Sequence, residues 1–420
     1  MTRSRGPRDG AGPRAPRGSG RSILPPGMPI AAILSIVGLL LIGAVTFSLA
    51  SGEIPLIAGS NGDPGSSEDP GVAKTPTPSN VVVVPTTPPE AEVDPVPGTL
   101  VYAKAGNIWL QSQGTATQLT KGGRDSMPAF SPDGSLVYFV RTREAEGQWS
   151  VDGSSRAYEL DVPSLMSISV TGGSATRVIN GIVDPAGSLR WNGFIRTPAV
   201  SPDGRTIAIA TDLPDPTRSD VVIKLFDTRR ERLTDPGFSQ QPPLGHQDPA
   251  WRPDGERLLF VRNDRDGAKG TPRIYAYDLD SDRVRALTGP GYIHPSYSPD
   301  GRYIAATKTS ALGTDIVILH AGNGSEVLRV TNDDSSWAPV WSPAGNQIAF
   351  LHVSGQIVDL RVVQLEGGGP AWTLKDPVNL TSNAGLDGVS RPGWFVPEDQ
   401  LPASPAPVGP SAAPSASPAG

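Results

Sequence analysis

The sequence repeats one heptapeptide, and that repeat limits the folds open to it. The copies read PAFSPDG at 128–134, PAVSPDG at 198–204, PAWRPDG at 249–255, PSYSPDG at 295–301 and PVWSPAG at 339–345. A degraded sixth copy, PGWFVPED, begins at Pro392. The leading prolines are 70, 51, 46, 44 and 53 residues apart. Two intervals fall within the roughly 40–50 residues of a propeller blade, and two only slightly exceed it.

Each copy feeds an apolar run: SLVYFV at 135–140, RTIAIA at 205–210, ERLLFV at 256–261, RYIAAT at 302–307 and NQIAFL at 346–351. A second run follows a polar loop, as in VVIKLF at 221–226 and DIVILH at 315–320, and a short third piece such as VLRVT at 327–331 closes several units. With the strand leading into the heptapeptide, each unit reads as a four-stranded meander. Ser-Pro-Asp-Gly suits a type I turn, with Pro at the second position, a short acid next and Gly where the chain goes left-handed. On this reading Pro128, Asp133, Gly134, Pro198, Asp203, Gly204, Pro249, Asp254, Gly255, Pro295, Asp300, Gly301, Pro339 and Gly345 are structural. Phe130, Val200, Trp251, Tyr297, Trp341 and, in the degraded copy, Trp394 are placed to pack between units. One such sheet cannot bury both faces, so the copies must stack, and closing the stack into a ring protects its edges.

The ends set the blade count. TLVYA at 99–103, NIWLQS at 107–112 and TQLT at 117–120 supply three strands ahead of the first copy. Gly393 to Val396 is their expected innermost partner, giving five full blades and one shared by the two ends. The fold expected over 98–397 is therefore an all-β, six-bladed propeller. The longest interval predicts an insertion at 141–164, either a cap or contact loop or a disordered excursion.

Outside this body the composition changes. The chain has 48 Gly and 45 Pro and only 19% charged residues, which suits tight turns together with unfolded segments. It has no cysteine, which excludes disulfides, thiolate metal sites and cysteine nucleophiles. The net charge of -6 averages six arginines before Ser22 with an acidic remainder, and that acidic body argues against nucleic acid as a partner. Residues 1–27 read as an Arg-rich cytoplasmic arm, and 28–50 as a single transmembrane signal-anchor helix. Its uncharged run Ile30–Ala50 spans roughly 30 Å as a helix, a bilayer's hydrocarbon thickness. Arginines before it and acids after it place the N-terminus in the cytoplasm and the propeller outside. The alternative is a signal peptide cleaved after Ala50, since Ser48-Leu49-Ala50 has the small residues a signal peptidase inspects, although the run exceeds the usual apolar length. Residues 51–97, rich in Pro, Thr and Gly, read as a disordered linker, and 398–420 as a Pro/Ala/Ser-rich disordered tail.

The heptapeptide resembles the repeats of the TolB-like, WD40-like (PD40) β-propeller family, over about 300 residues. The resemblance implies a platform for proteins or ligands around a central channel, with calcium sometimes held in the funnel. The sequence departs from TolB in showing an anchor and linker where TolB has an N-terminal α/β domain, and no hydrolase domain follows the repeats. The Pro, Gly, Ala and Arg usage is that of a GC-rich bacterial genome.

For chemistry, only His246, His294, His320 and His352 are available as imidazoles. His246 and His294 precede the third and fourth heptapeptides, so with Asp248 they are the candidate ligand contacts at a channel rim. His320 and His352 sit in or beside strands and read as structural. No nucleophile elbow, zinc motif or phosphate loop is present, and no compact calcium loop is visible. The expected function is a non-enzymatic, membrane-tethered binding platform for an envelope or extracellular protein, peptide or glycan, without a cofactor. Two alternatives are a sugar- or peptide-processing enzyme using the channel, and a sensory or structural accessory subunit of an envelope complex.

Overall fold

A computed structural model describes residues 96–401, apart from breaks at 152–153, 185–189, 217–218, 240–244 and 266–269. The expected cytoplasmic arm and anchor, nearly all of the linker and most of the tail lie outside the described residues. The start of the expected tail departs from disorder: Glu398–Gln400 forms one 3-10 turn, and Leu401 packs against the core.

Six antiparallel sheets form the propeller. Blade 1 takes Thr99–Lys104, Asn107–Ser112 and Thr115–Gln118 from the N-terminal side and its innermost strand, Gly393–Phe395, from the far end. The closure register pairs Thr99 with Phe395, Leu100 with Trp394 and Val101 with Gly393. The inner strands of blades 2 to 6 are Asp125–Phe130, Ile195–Val200, His246–Trp251, Tyr292–Tyr297 and Ser336–Trp341, each followed outward by its meander. In blade 6 both Thr373–Leu374 and Val378–Asn379 pair with Ile357–Glu366.

The second strand of each blade is apolar at consecutive positions because both sheet faces are buried. In blade 4, Leu258 and Phe260 pack toward blade 3, while Leu259 and Val261 pack toward blade 5. In blade 6, Ile348 and Phe350 face blade 5, and Ala349 and Leu351 face blade 1. The core is thus divided among the blade interfaces. The residue before each turn, aromatic except at Val200, joins them: Tyr297 packs with Leu259 and Val261, and Trp251 donates its indole N–H to the Ala199 carbonyl of blade 3 at 3.0 Å.

The heptapeptide turn is a small hydrogen-bonded device. In blade 3 the Ser201 hydroxyl donates to Asp203 at 2.6 Å and accepts the Thr206 N–H at 2.9 Å, while Asp203 accepts the Arg205 N–H at 3.0 Å. The same three bonds recur around Ser298 and Asp300. These bonds hold the Asp133 and Asp203 carboxyls below the usual carboxylate range, the serine hydroxyl being the largest cause. Gly134 sits at φ 68°, where a Cβ would also collide with the Phe395 ring of the closing strand. Where Ala344 replaces the acid, the Ser342 hydroxyl accepts the Ala344 N–H at 3.2 Å and the turn keeps its backbone bonds.

A second device repeats in the inner strands. The register shifts just before the proline in blades 2 to 6, and the residue preceding it is left-handed: Met127, Thr197, Asp248, His294 and Ala338 have φ of 45–53°. These β-bulges give each blade one out-of-register residue at the same level of its inner strand.

Within the expected insertion at 141–164, the described residues form two paired strands. Leu136–Val151 and Ser154–Ser169 pair without interruption from Leu136↔Ser169 to Val151↔Ser154, so blade 2 extends into a long two-stranded arm. Its distal part alternates Glu144 and Glu146 on one face with Ala145 and Gly147 on the other, the period-2 pattern of a strand. Arg124 neutralises Glu144 at 3.1 Å and Asp161 at 2.7 Å across the arm's base.

Two outcomes follow from this packing. Trp394→Ala empties a buried site in the closing strand and removes the bond from its indole N–H to the Pro97 carbonyl, 2.8 Å long. We expect it to cost about 3–5 kcal/mol in urea unfolding. Asp203→Ala should cost about 0.5–1 kcal/mol, because its carboxylate is largely solvated, and Ala344→Asp should raise the unfolding midpoint. Since the folded Asp203 pKa lies below its ordinary value, the Asp203→Ala deficit is present above pH 3.8 and shrinks as pH falls through the folded pKa. A deficit that grew on acidification would contradict this account of the turn.

Candidate functional site

The antiparallel meander sorts the connections between two faces. Inner strands end in the heptapeptide turns, which therefore share one face; the glycine of each turn lies beside the preceding blade's turn proline, as Gly204 does beside Pro132. The hairpins between second and third strands, and the connections between blades, lie on the opposite face. That loop face carries the end of the blade 2 arm and three exposed apolar side chains. Leu312 is in the blade 5 hairpin, Ile357 in the blade 6 hairpin and Val389 in the connection to the closing strand.

A central cavity of 330 Å³ is lined by all six inner strands, among them Pro128, Pro198, Pro249, Pro295 and Pro392. Proline has no N–H, so these wall positions offer no backbone donor. Two of the bulge positions, Asp248 and His294, carry titratable side chains. The structure brings Asp248 and His294 together, His294 Nε2 lying 3.7 Å from an Asp248 carboxylate oxygen. His294 Nδ1 is 3.2 Å from the Thr307 hydroxyl, which accepts the Ala338 N–H at 3.0 Å. The two ring nitrogens of His294 thus face the Thr307 hydroxyl on one side and the Asp248 carboxylate on the other. Burial pushes the His294 pKa down, against the pull of Asp248.

His246 is not part of this group. It is buried between blades 3 and 4, with its ring centroid 5.0 Å from that of Phe260 and 5.7 Å from that of Phe238. Its Nδ1 faces the Ile223 N–H at 3.3 Å. The alternation of a strand explains the split: two residues apart, His246 and Asp248 would share a face, but the bulge shifts the register between Gln247 and Ala250.

Two arginines that sequence reasoning passed over complete the site. Arg391 precedes the closing strand, lines the cavity and donates to the Pro295 carbonyl at 2.6 Å. That bond runs from the blade 1 connection to blade 5, past blade 6, and so crosses the channel mouth as a chord. Arg196 stands beside the bulge of blade 3. Burial lowers the pKa of both guanidiniums, and Asp248 opposes the shift in each. The available signal was positional: Arg391 occupies, in the degraded copy, the pre-proline place held by Asp248 and His294.

The remaining polar clusters are structural in geometry. Ser336, His352 and Asp333 adjoin, but the Ser336 hydroxyl (3.2 Å) and Asp333 (3.3 Å) meet the same imidazole nitrogen, Nδ1. A relay needs them on opposite nitrogens, and Ser336 is fully buried. His320 lies at the end of a blade 5 strand and accepts the Gly322 N–H on Nδ1 at 3.1 Å. Asp212, pushed up to about 6 by burial, accepts the Phe194 N–H at 2.6 Å and caps the entry to blade 3. Among the described residues no group of three or more His, Asp or Glu side chains is placed to hold a metal ion.

Comparison with known proteins agrees with the repeat. The family model of the TolB beta propeller domain matches residues 148–375. The Tol-Pal system protein TolB of Francisella tularensis subsp. tularensis is 27% identical over 234 residues, 53% of this chain and 49% of that protein. A Protein TolB homolog of Chlorobaculum tepidum is 31% identical over 116 residues, 27% of this chain and 25% of that one. The chain thus spans about half the length of the Francisella relative. The crystal structure of TolB from Acinetobacter baumannii matches with a TM-score of 0.49 at 16% identity, over 70% of this chain and 66% of that one. With the family model matched over more than half of its length, the chain belongs to the TolB beta propeller domain family.

Proposed function

We propose that this chain is a non-enzymatic binding protein whose propeller engages a protein partner through its loop face. The observation that carries this reading is the inequality of the two faces. One is a near-uniform ring of hydrogen-bonded turns; the other bears the ordered arm of blade 2 and the exposed Leu312, Ile357 and Val389. Exposed apolar side chains collected on one face, beside an arm that projects from it, offer a partner apolar contact. Relatives named for the Tol-Pal system support a partner within a bacterial envelope complex.

The same reading places the propeller outside the cytoplasmic membrane, held by an anchor at 28–50 and a tether at 51–97, with a tail from 398. Its support is the uncharged run Ile30–Ala50 between arginines and acids. Asp248 and His294 at the channel mouth are its candidate ligand contacts.

Site-specific photocrosslinking from the full chain in cells tests the binding face. Probes at Leu312 and Val389 should capture one common partner, whereas a probe at Glu256, in a heptapeptide turn, should not. Capture from Glu256 alone, or no reproducible adduct from either loop-face position, would refute the assignment.

A further inference from the structure

The blade 2 arm leaves a strand edge open. In its register Thr142 lies opposite Pro163 and Gln148 opposite Ala157. Thr142 sends its N–H away from the partner strand, to the Arg124 carbonyl at 3.0 Å, and Gln148 exchanges outward bonds of 3.0 and 2.9 Å with Arg190. These are therefore non-hydrogen-bonded pairs of the ladder. On the second strand the same alternation aims the N–H and C=O groups of Ser155, Ala157 and Glu159 outward, at the arm's other edge. Thr176–Asn180 covers that edge only over Ser164–Ser167, and the Asn192 amide donates to the Asp161 carbonyl at 2.9 Å. From Ser155 to Glu159 no hydrogen bond covers it among the described residues, and Arg156, Ala157, Tyr158 and Glu159 are exposed. Neither a proline nor a bulge interrupts the stretch. An open edge of this kind is a template for another strand.

The charges on one face of the arm decide what fits there. Glu144 lies opposite Asp161, and Arg124 bonds both. The next acidic pair on that face, Glu146 opposite Glu159, is exposed and has no such cation among the described residues. Like charges facing each other in a non-hydrogen-bonded pair, where side chains stand closest, repel. A concavity of 500 Å³ runs along the same stretch, lined by Glu144, Ala145, Glu146, Ala157, Tyr158 and Glu159. We propose that this edge accepts an extended, basic segment of a partner protein as a third, antiparallel strand, with its lysines or arginines set against Glu146 and Glu159. The outward backbone groups of Ala157 and Glu159 supply the hold, and the acidic pair supplies the selectivity. In an antiparallel ladder the residues facing Ala157 and Glu159 share their face of the sheet. The basic side chains therefore belong to the same residues whose N–H groups bond the arm. A second copy of the arm fits poorly: edge to edge about a two-fold axis, it would bring its own Glu146 and Glu159 onto the acidic face. This inference rests on the proposed binding role and adds the chemistry and pose of the partner segment.

The test measures binding of labelled synthetic peptides to the full chain by fluorescence anisotropy at fixed ionic strength. The peptides have about nine residues, capped at both ends, and alternate Lys with Val or Thr. The Lys peptide should bind saturably, and a counterpart with Glu at the Lys positions should bind about tenfold more weakly or worse. N-methylation of the lysine residues should abolish binding, whereas N-methylation of the intervening residues, whose N–H groups face away from the arm, should change it by about twofold or less. Ala157→Pro removes an outward N–H without touching a bond between the arm's own strands, and should weaken binding about tenfold or more. Glu146→Gln/Glu159→Gln should bring the Lys and Glu peptides to within about twofold of each other. Melting curves of each variant separate loss of binding from loss of fold. A Glu peptide that binds as well as the Lys peptide, equal effects of the two methylation patterns, or unchanged affinity in a folded Ala157→Pro chain would overturn the strand-addition site. So would a native chain that binds no Lys peptide, or one whose self-association in sedimentation is abolished by Ala157→Pro, since a second copy would then hold the edge. Each of these outcomes leaves the binding role standing while Leu312 and Val389 still capture a partner. Loss of those adducts with peptide binding intact would count against the loop-face partner and keep the strand edge.

Discussion

Three residue pairs between the ends of the propeller, Thr99 with Phe395, Leu100 with Trp394 and Val101 with Gly393, decide whether six sheets become one domain. Each blade buries both faces, so none is stable without two neighbours, and an open stack would leave two apolar faces in water. Nearly 300 residues separate the partners, so the pairing is entropically expensive to form. Its return is the interface between blades 6 and 1, where Leu100, Tyr102 and Trp394 meet Ala349, Leu351 and Leu360. With no cysteine in the chain, packing and hydrogen bonding are what close the ring.

The heptapeptide serves this closure locally. Its serine and acid fix the hairpin, its glycine allows the left-handed step, and its aromatic crosses into the preceding blade. The roles are separable: the fifth copy lacks the acid yet keeps the turn, because Ser342 still accepts a backbone N–H. The sixth lacks the turn yet keeps the blade, because Trp394 and the strand around it still pack. The signature acids are turn residues, and their lowered pKa values follow from the bonds of the turn.

Much of this was legible in the sequence, since the repeat contains its own mechanics. The run LLFV at 258–261 reads as a strand buried on two faces and is one, with alternate residues entering the two neighbouring interfaces. The site was harder to read. Asp248 and His294 shared a place relative to the proline and were legible as a pair. His246 followed the same logic by its nearness to the third copy, but an undetected bulge separated it from them. Arg391 was obscured because the sixth copy has lost most of the signature, and its reach across the channel is a property of closure that no local pattern encodes. The blade 2 arm carried a strand period in charged and small residues, which reads weakly when the search is for apolar alternation.

The bulge links fold to site. A regular inner strand would send alternate side chains into the two blade interfaces and present little beyond backbone to the channel. Inserting one left-handed residue before each proline breaks that alternation at the same level in five blades, at Met127, Thr197, Asp248, His294 and Ala338. A non-glycine residue there carries strain, and repeated strain at one level of a ring is tolerable because adjacent blades bond it. The Met127 N–H donates to the Ser390 hydroxyl at 2.9 Å, and the Ala338 N–H to the Thr307 hydroxyl. The scaffold thereby holds a ring of positions whose backbone is set by neighbouring blades and whose side chains are left to vary. In this chain that ring is apolar or uncharged on three sides and carries a carboxylate at Asp248, an imidazole at His294 and, in the sixth copy, a guanidinium at Arg391. Such a division lets the composition of the mouth change while the turns and interfaces that keep the propeller closed remain as they are.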